Sequence, residues 1–242
     1  MKASSRVGAL MRKPRAINPW SVFYGTPMKL RRSISFIDGF NLYHAIASLH
    51  RPELKWVNLR LLSGVFINTS LEKLGEVFYF SAYADHLATP LQQAQKIYIR
   101  ALELSAVKPV LGHFKKKERK CPSCSHKWIS HEEKETDVNI ATSLLDLAYC
   151  DAFDRALVIS NDSDLVPAIR TVRKRFPQKQ ITTIAPPNYY HSNELIQVSS
   201  DKARIRPEHL EQSLLPTHVK DVSGLTSISR PEEYAPGLAH SR

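Results

Sequence analysis

The chain has 242 residues, of which 43% are hydrophobic and 24% are charged, as is usual for a globular domain with its own core. No apolar run approaches the roughly 20 residues that a bilayer span requires, and the basic start lacks the apolar stretch and cleavage site of a secretory signal. The three cysteines are too few for a disulfide framework, and we expect a cytoplasmic protein.

The positive charge is concentrated at the amino end of the chain. The net charge is +11, and eight lysine and arginine residues precede the first acidic residue, Asp38, so the rest of the chain carries an excess of only about +3. We interpret residues 1–30 as a basic, disordered arm. The composition equally fits translation from Met28, with residues 1–27 outside the native protein.

Predicted strands and helices alternate from Ser33 onward. Runs of apolar and β-branched residues predict strands at 33–37, 76–84, 107–114, 156–159, 180–187 and 201–207. Apolar residues at helical spacing predict helices at 41–50, 58–67, 89–105, 136–150 and 164–176. This alternation indicates an α/β fold with a mostly parallel sheet that is covered by helices on both faces.

One domain accounts for residues 31–206. Within it, Pro109 places the third strand at a sheet edge, and the polar segment 113–134, rich in cysteine and lysine, is predicted to be an irregular insertion. Residues 207–242 are polar and interrupted by prolines, which predicts a loosely attached C-terminal tail.

Acidic residues stand where the predicted parallel strands end. Asp38 ends the first strand, Asp162 and Asp164 follow the fourth, and Asp137 opens the helix after the insertion, with Thr136 as its expected N-cap. Because the carboxyl ends of such strands meet at one crevice, we expect these carboxylates to lie together. Each one taken alone is more often a helix cap than a ligand, and Asp164 fits a cap as well as a ligand.

Grouped carboxylates favour a divalent cation. At 4 Å each pair repels by about 4 kcal/mol if the effective dielectric constant is near 20. Oxygen ligands of this kind select Mg²⁺ or Mn²⁺, and such an ion can activate water and neutralise a phosphodiester. We therefore expect Asp38, Asp137 and Asp162 to bind the metal. Gly39 would allow a tight turn, and Asn41 would orient a water or a phosphate.

Three segments contain these acids: FIDGFNLY at 36–43, KETDVNIATSLLDLAY at 134–149 and VISNDSDLVPAI at 158–169. In this order they resemble the signature segments of the NYN domain family, a branch of the PIN-like nuclease superfamily. The resemblance implies a PIN-like three-layer α/β/α sandwich and metal-dependent cleavage of RNA. It implies catalytic roles for the matching residues Asp38, Asn41, Asp137, Asp162 and Asp164.

The third segment departs from the family at one position. Family members commonly have Ser-Gly-Asp-Ser-Asp, whereas this chain has Asn161 in place of the glycine. Asparagine tolerates left-handed backbone angles better than other non-glycine residues, so we expect the turn to be kept.

The insertion contains Cys121 and Cys124 in C-x-x-C spacing. This spacing is typical of a structural zinc site, but such a site needs four ligands, so His126, His131 or a second chain would have to complete it. The other interpretation is a reduced hairpin that binds nothing. A homodimer is compatible with the first interpretation, and the sequence leaves the oligomeric state open.

Two basic clusters are candidates for contact with a phosphate backbone. Lys115, Lys116 and Lys117 precede the cysteines, and Arg173 and Lys174 lie in the helix after Asp164. The three lysines share the insertion with Trp128. Positive charge together with an aromatic ring for stacking suits single-stranded RNA.

Two alternatives to a nuclease remain at this level. The first is a module of this fold that binds RNA or a protein with little or no catalysis, although such a binder gains nothing from grouped negative charge. The second is a phosphotransferase or phosphatase with Asp38 as nucleophile, which would want another aspartate close behind, where Phe40 stands.

Overall fold

The computed structural model describes residues 29–221 and 223–237, so the predicted arm lies outside the described residues except for its last two positions. The strands are β1 (Arg31–Asp38), β2 (Glu72–Ala82), β3 (Lys108–Lys120), β4 (Lys127–Lys134), β5 (Arg155–Ile159), β6 (Gln180–Ala185), β7 (Asp201–Arg204), β8 (His218–Lys220) and β9 (Ser227–Ser229). The α-helices are α1 (Gly39–Ala47), α2 (Leu59–Gly64), α3 (Thr89–Leu104), α4 (Thr136–Tyr149), α5 (Val166–Arg175), α6 (Asn193–Val198) and α7 (Pro207–Glu211).

Seven strands form the central sheet in the order β4-β3-β2-β1-β5-β6-β7. All neighbours are parallel except β3 and β4, which are antiparallel. The chain leaves β1 toward β2 on one side and later returns to place β5 on the other, so the strand order reverses between β1 and β5. Ligands of open α/β sheets bind at such a reversal, beyond the carboxyl ends of the strands. The predicted fold class is confirmed.

Strand β1 is buried on both faces and divides two hydrophobic cores. Ile34 and Phe36 belong to the core under α4 and α5, whereas Ile37 belongs to the core under α1, α2 and α3. Because side chains alternate along a strand, Asp38 falls on the same side as Phe36. The alternation therefore directs the last residue of β1 toward the amino end of α4.

The predicted irregular insertion is instead a long hairpin. Residues 108–112 of β3 pair with β2, and within the described part of the chain they have no strand on the other side, as Pro109 predicts. Residues 113–120 extend beyond β2 and pair with β4, from His113 opposite Lys134 to Lys120 opposite Lys127. The hairpin is largely exposed on both faces, so its sequence has no apolar alternation that would reveal a strand.

The segment after residue 206 differs from the predicted loose tail, since part of it lies in the core. Leu210, Leu215, Val219 and Tyr234 are at most 5% exposed. They join the core under α3, and the indole nitrogen of Trp56 donates to the Pro216 carbonyl at 2.9 Å. These apolar residues are single and widely spaced, so they form no periodic pattern. No described helix is long and apolar enough to cross a membrane.

Candidate metal centre

Three carboxylates meet beyond the carboxyl ends of β1 and β5. Asp137 lies in the first turn of α4, and Asp162 and Asp164 follow β5. One oxygen from each can be chosen so that all three lie within 4.8 Å of one another. Burial raises the pKa of Asp137, and the negative charges of Asp162 and Asp164 raise it further. The donor set is therefore all oxygen and strongly anionic, which is the chemistry that Mg²⁺ and Mn²⁺ prefer.

Local backbone contacts fix the two acids after β5. The Asp162 side chain accepts the backbone N–H of Asp164 at 2.9 Å and so caps the short 3₁₀ helix Ser163–Leu165. Asp164 is exposed and does not cap α5, whose N-cap is Leu165 without a side-chain hydrogen bond. The alternative interpretation of Asp164 as a helix cap is therefore wrong, and its carboxylate belongs to the acidic group.

Asp38 lies beside this group and is not part of it among the described residues. The carboxylate is buried and caps α1: one oxygen accepts the Asn41 N–H at 2.9 Å and the other accepts the Ser160 hydroxyl at 2.8 Å. Burial raises the pKa of Asp38 to about 7, and the charges of Asp137 and Glu133 add to the rise. Of the predicted metal set Asp38, Asp137 and Asp162, the group of three contains the last two together with Asp164. Each Asp38 oxygen accepts one hydrogen bond in this arrangement, and a metal-binding role of Asp38 stays a prediction.

A chain of hydrogen bonds links these loops. The Asp162 N–H donates to the Ser160 hydroxyl oxygen at 3.0 Å, and that hydroxyl donates to Asp38. The Asn161 N–H donates to the side-chain oxygen of Asn41 at 3.3 Å, while the Asn161 side chain accepts the Ser192 N–H at 2.9 Å. Asn41 therefore joins the first turn of α1 to the loop after β5, and Asn161 joins that loop to the loop before α6.

The backbone angles at this edge differ from the expected ones. Asn161 is not among the described residues with positive φ; Glu135, directly before α4, has φ 76° and is the helix N-cap in place of Thr136. Gly39 is needed for a close approach and not for a tight turn. An added Cβ would lie 2.6 Å from Cζ of Tyr79 and 2.7 Å from the Phe80 carbonyl oxygen.

Glu133 is a fifth acid at this site that sequence reasoning missed. Its carboxylate accepts the Thr136 hydroxyl at 2.5 Å, and burial, followed by the charge of Asp137, raises its pKa. It lies opposite Phe114 in the hairpin, on the face turned toward the acids. Only the recognition of β4 and of its register could have placed Glu133 here.

The sequence model of the NYN domain matches residues 33–202, which run from β1 into β7 and include every acid described above. The chain belongs to the NYN domain family. A solved structure of a protein of unknown function from Vibrio parahaemolyticus resembles this NYN domain with a TM-score of 0.51 and 18% identity, over 77% of this chain and 97% of that one. Such an identity supports a shared fold alone. No curated protein matches the chain.

The predicted RNA-binding lysines of this NYN domain are divided between the two faces of the hairpin. Lys116 shares a face with Phe114 and Glu133, toward the acids. Lys115 and Lys117 lie on the other face, where Lys117 pairs with Glu132 at 3.4 Å. The alternation of β3 therefore leaves Lys116 as the lysine of this set on the acid side.

The predicted basic residues of α5 lie away from the acids. Arg173 and Lys174 belong to the last turn of α5, whereas the helix begins at the acidic edge. Arg173 also donates to the backbone carbonyls of Val198 and Ser199, both at 3.0 Å, which ties it to the end of α6. Their predicted contact with RNA is unsupported by this placement.

Cys121 and Cys124 lie in the turn of the hairpin. The Cys121 N–H donates to the His126 carbonyl at 2.8 Å, and Ser125 has φ 57°. Within residues 29–221 and 223–237, no group of three or more histidine, cysteine or acidic ligands includes these thiols. Zinc binding stays a prediction that needs ligands from elsewhere.

Proposed function

We propose that this NYN domain is a metal-dependent ribonuclease that hydrolyses phosphodiester bonds in RNA. One observation carries the proposal: three carboxylate oxygens, from Asp137, Asp162 and Asp164, lie within 4.8 Å of one another. They do so at the reversal point of the sheet, in a chain of a family related to nucleases.

The donor set fits a hard divalent cation. Asp137, Asp162 and Asp164 would hold Mg²⁺ or Mn²⁺, because clustered carboxylate oxygens are the ligands these ions prefer. When bound, such an ion would lower the pKa of a water molecule and neutralise negative charge on the phosphate. Burial and the negative charges of Asp162 and Asp164 raise the pKa of Asp137. A bound cation would offset this repulsion, which supports the proposal.

The remaining residues position the site. Ser160 connects the Asp38 carboxylate to the Asp162 N–H. These two hydrogen bonds fix the end of β1 relative to the loop after β5. Asn41 takes part in the same connection through the Asn161 N–H. Hydrolysis forms one bond from the water oxygen to phosphorus and breaks one P–O bond, and the leaving oxygen takes a proton. Lys116, on the acid side of the hairpin, would contact an RNA phosphate.

The test is cleavage of labelled single-stranded RNA with Mn²⁺ or with EDTA. Wild type and Asp146→Asn, an exposed control on the same α4 helix, should cut with Mn²⁺ and fail with EDTA. With Mn²⁺, Asp162→Asn should cut at least 100-fold more slowly than wild type, while asparagine keeps the cap that Asp162 forms.

Three outcomes would contradict the proposal. RNA retained without cleavage in Mn²⁺ would favour the RNA-binding module. Turnover of a chromogenic phosphate monoester would favour the phosphatase. Cleavage that survives Asp162→Asn would separate the activity from the acidic group. A cytoplasmic location and a homodimer stay predictions from the sequence.

A further inference from the structure

A cavity of about 330 Å³ lies between α1, the end of β2, α3 and the base of the hairpin. Its lining includes Gly39, the residue directly after Asp38, and His131, which lies two residues from Glu133 on the same face of the hairpin. Ligand sites commonly measure roughly 300 to 1,000 Å³. At the lower end of this range, the cavity suits one small planar group and not a folded segment.

Aromatic rings form the outer part of the cavity. The Phe40 ring is 4.3 Å from His44 and 6.4 Å from Phe114, measured between centroids. His86 lies 4.6 Å from Phe114 and stacks on His131 at 4.3 Å with their planes 8° apart. Phe40 is 43% exposed, which leaves part of its ring surface free. Rings exposed in this way offer stacking surfaces for a flat aromatic ligand.

The inner polar groups of the cavity are already bound within the protein. Gln95 accepts the Ala84 N–H at 2.9 Å and donates to the Ala82 carbonyl at 2.8 Å. The Tyr98 hydroxyl donates to the Val57 carbonyl at 2.8 Å. A ligand would therefore be held by stacking more than by hydrogen bonds to its edges, and bases of different identity should be accepted.

Positive groups flank the cavity on two sides. The Lys55 ammonium lies 4.8 Å from the Tyr43 ring centre at one rim. Lys116 lines a second, neighbouring pocket, and Phe114 and His131 line both this pocket and the cavity. A planar aromatic site between cations, next to a carboxylate group, matches a nucleotide whose phosphates lie outside and whose base lies inside.

We propose that the cavity takes one unpaired base of the RNA whose phosphate lies at the acidic group. This inference rests on the proposed function and specifies its substrate as single-stranded. A base within a duplex is stacked and paired, and it would have to leave the helix to enter. The cavity thus selects unpaired RNA with little preference among the bases.

The test measures RNA binding in EDTA, where cleavage is off, by fluorescence anisotropy. Stacking of one base contributes roughly 1–3 kcal/mol, so Phe40→Ala should weaken binding of a single-stranded oligoribonucleotide about 5- to 150-fold. Phe40→Leu keeps apolar volume but removes the ring, and it should show a loss in the same direction. Tyr149→Ala, an exposed aromatic at the far end of α4, is the matched control and should bind like wild type.

An abasic scan locates the base. Moving one abasic nucleotide along the oligonucleotide should reveal a position that weakens wild-type binding and has no further effect on Phe40→Ala. If wild type binds and cuts RNA, yet Phe40→Ala binds like Tyr149→Ala and no abasic position matters, the cavity proposal is wrong and the nuclease stands. If wild type neither binds nor cuts RNA, both proposals are wrong.

Discussion

Asp38 and Gly39 show how the end of one strand serves two purposes. The buried Asp38 carboxylate caps α1 and receives the Ser160 hydroxyl, and the absence of a side chain at Gly39 lets α1 begin against the Tyr79 ring. The close approach keeps Asp38, the acidic group and the cavity at one edge. The pair therefore sets the position of the site as well as the start of a helix.

Gly39→Ala should destabilise the protein by about 1–3 kcal/mol, because the new Cβ would overlap the Tyr79 ring and the Phe80 carbonyl. The matched control is Gly64→Ala in α2, where nothing lies within 4 Å of the added Cβ. It should be neutral or stabilise slightly. Urea unfolding measures both, and equal free energies of unfolding for the two variants would contradict the steric account.

At the residue scale the sequence placed Asp137 and Asp162 in the site, because strand ends and a helix start mark those positions. It could not tell which oxygens of the four acids lie within 4.8 Å of one another, since this depends on side-chain orientation at the strand ends. Glu133 was missed for a different reason. Its place follows from the register of a hairpin that leaves no pattern in the sequence.

At the element scale the sequence predicted only part of the hairpin: a strand at 107–114, and a hairpin as one interpretation of the C-x-x-C segment. Strands β1, β5 and β6 are mostly buried, and their apolar runs predicted them. The hairpin is held by pairs such as Arg119 and Lys134 with Glu132, which are exposed and contribute little each. It nevertheless places Glu133 close enough to Asp38 and Asp137 for their charges to interact, and it carries Phe114 and Lys116, for which we propose contacts with RNA.

Lys116→Ala should weaken RNA binding and reduce the slope of log affinity against log salt by about 0.7, the value for one phosphate contact on a single strand. Lys115→Ala is the control on the other face of the same strand and should leave the slope unchanged. Anisotropy titrations over a range of salt concentrations provide the measurement. If both substitutions lowered the salt slope equally, the prediction that Lys116 and not Lys115 contacts an RNA phosphate would be wrong.

At the scale of the whole molecule, the edge opposite the acids is stabilised by charge. Asp154 accepts the Arg32 N–H and guanidinium, each at 2.7 Å, and so joins the starts of β1 and β5. The Arg32 side-chain hydrogen bond lowers the pKa of Asp154 to about 2, and the charge of Lys179 adds to this. Opposite charges thus stabilise one edge of the sheet, while the other edge carries grouped carboxylates.

Asp154→Asn should reduce stability at pH 7 by up to about 1 kcal/mol after allowance for solvent screening. Because the folded pKa lies below the unfolded value, this contribution is present above about pH 4. It is lost as the pH falls through about 2, where Asp154 is protonated in both states. Thermal melting of both proteins at several pH values tests this, and a difference that persists undiminished at pH 2 would contradict it.

The C-terminal segment shows what composition cannot predict. Tyr234 lies far along a polar stretch, yet its ring is within 6.4 Å of Trp56 and 6.2 Å of Tyr98. Two of these rings belong to elements far away in the chain, so only the folded molecule brings them together. The predicted sheet and its helices followed from periodic patterns, and the covering segment did not.

The most direct test of the central claim is a titration of the metal-free protein with Mn²⁺, followed by calorimetry. We expect saturable Mn²⁺ binding by wild type and by Asp146→Asn. Asp137→Asn removes one carboxylate of the acidic group and should lose this binding. Unchanged Mn²⁺ binding by Asp137→Asn, or no binding by wild type, would show that these carboxylates do not share an ion.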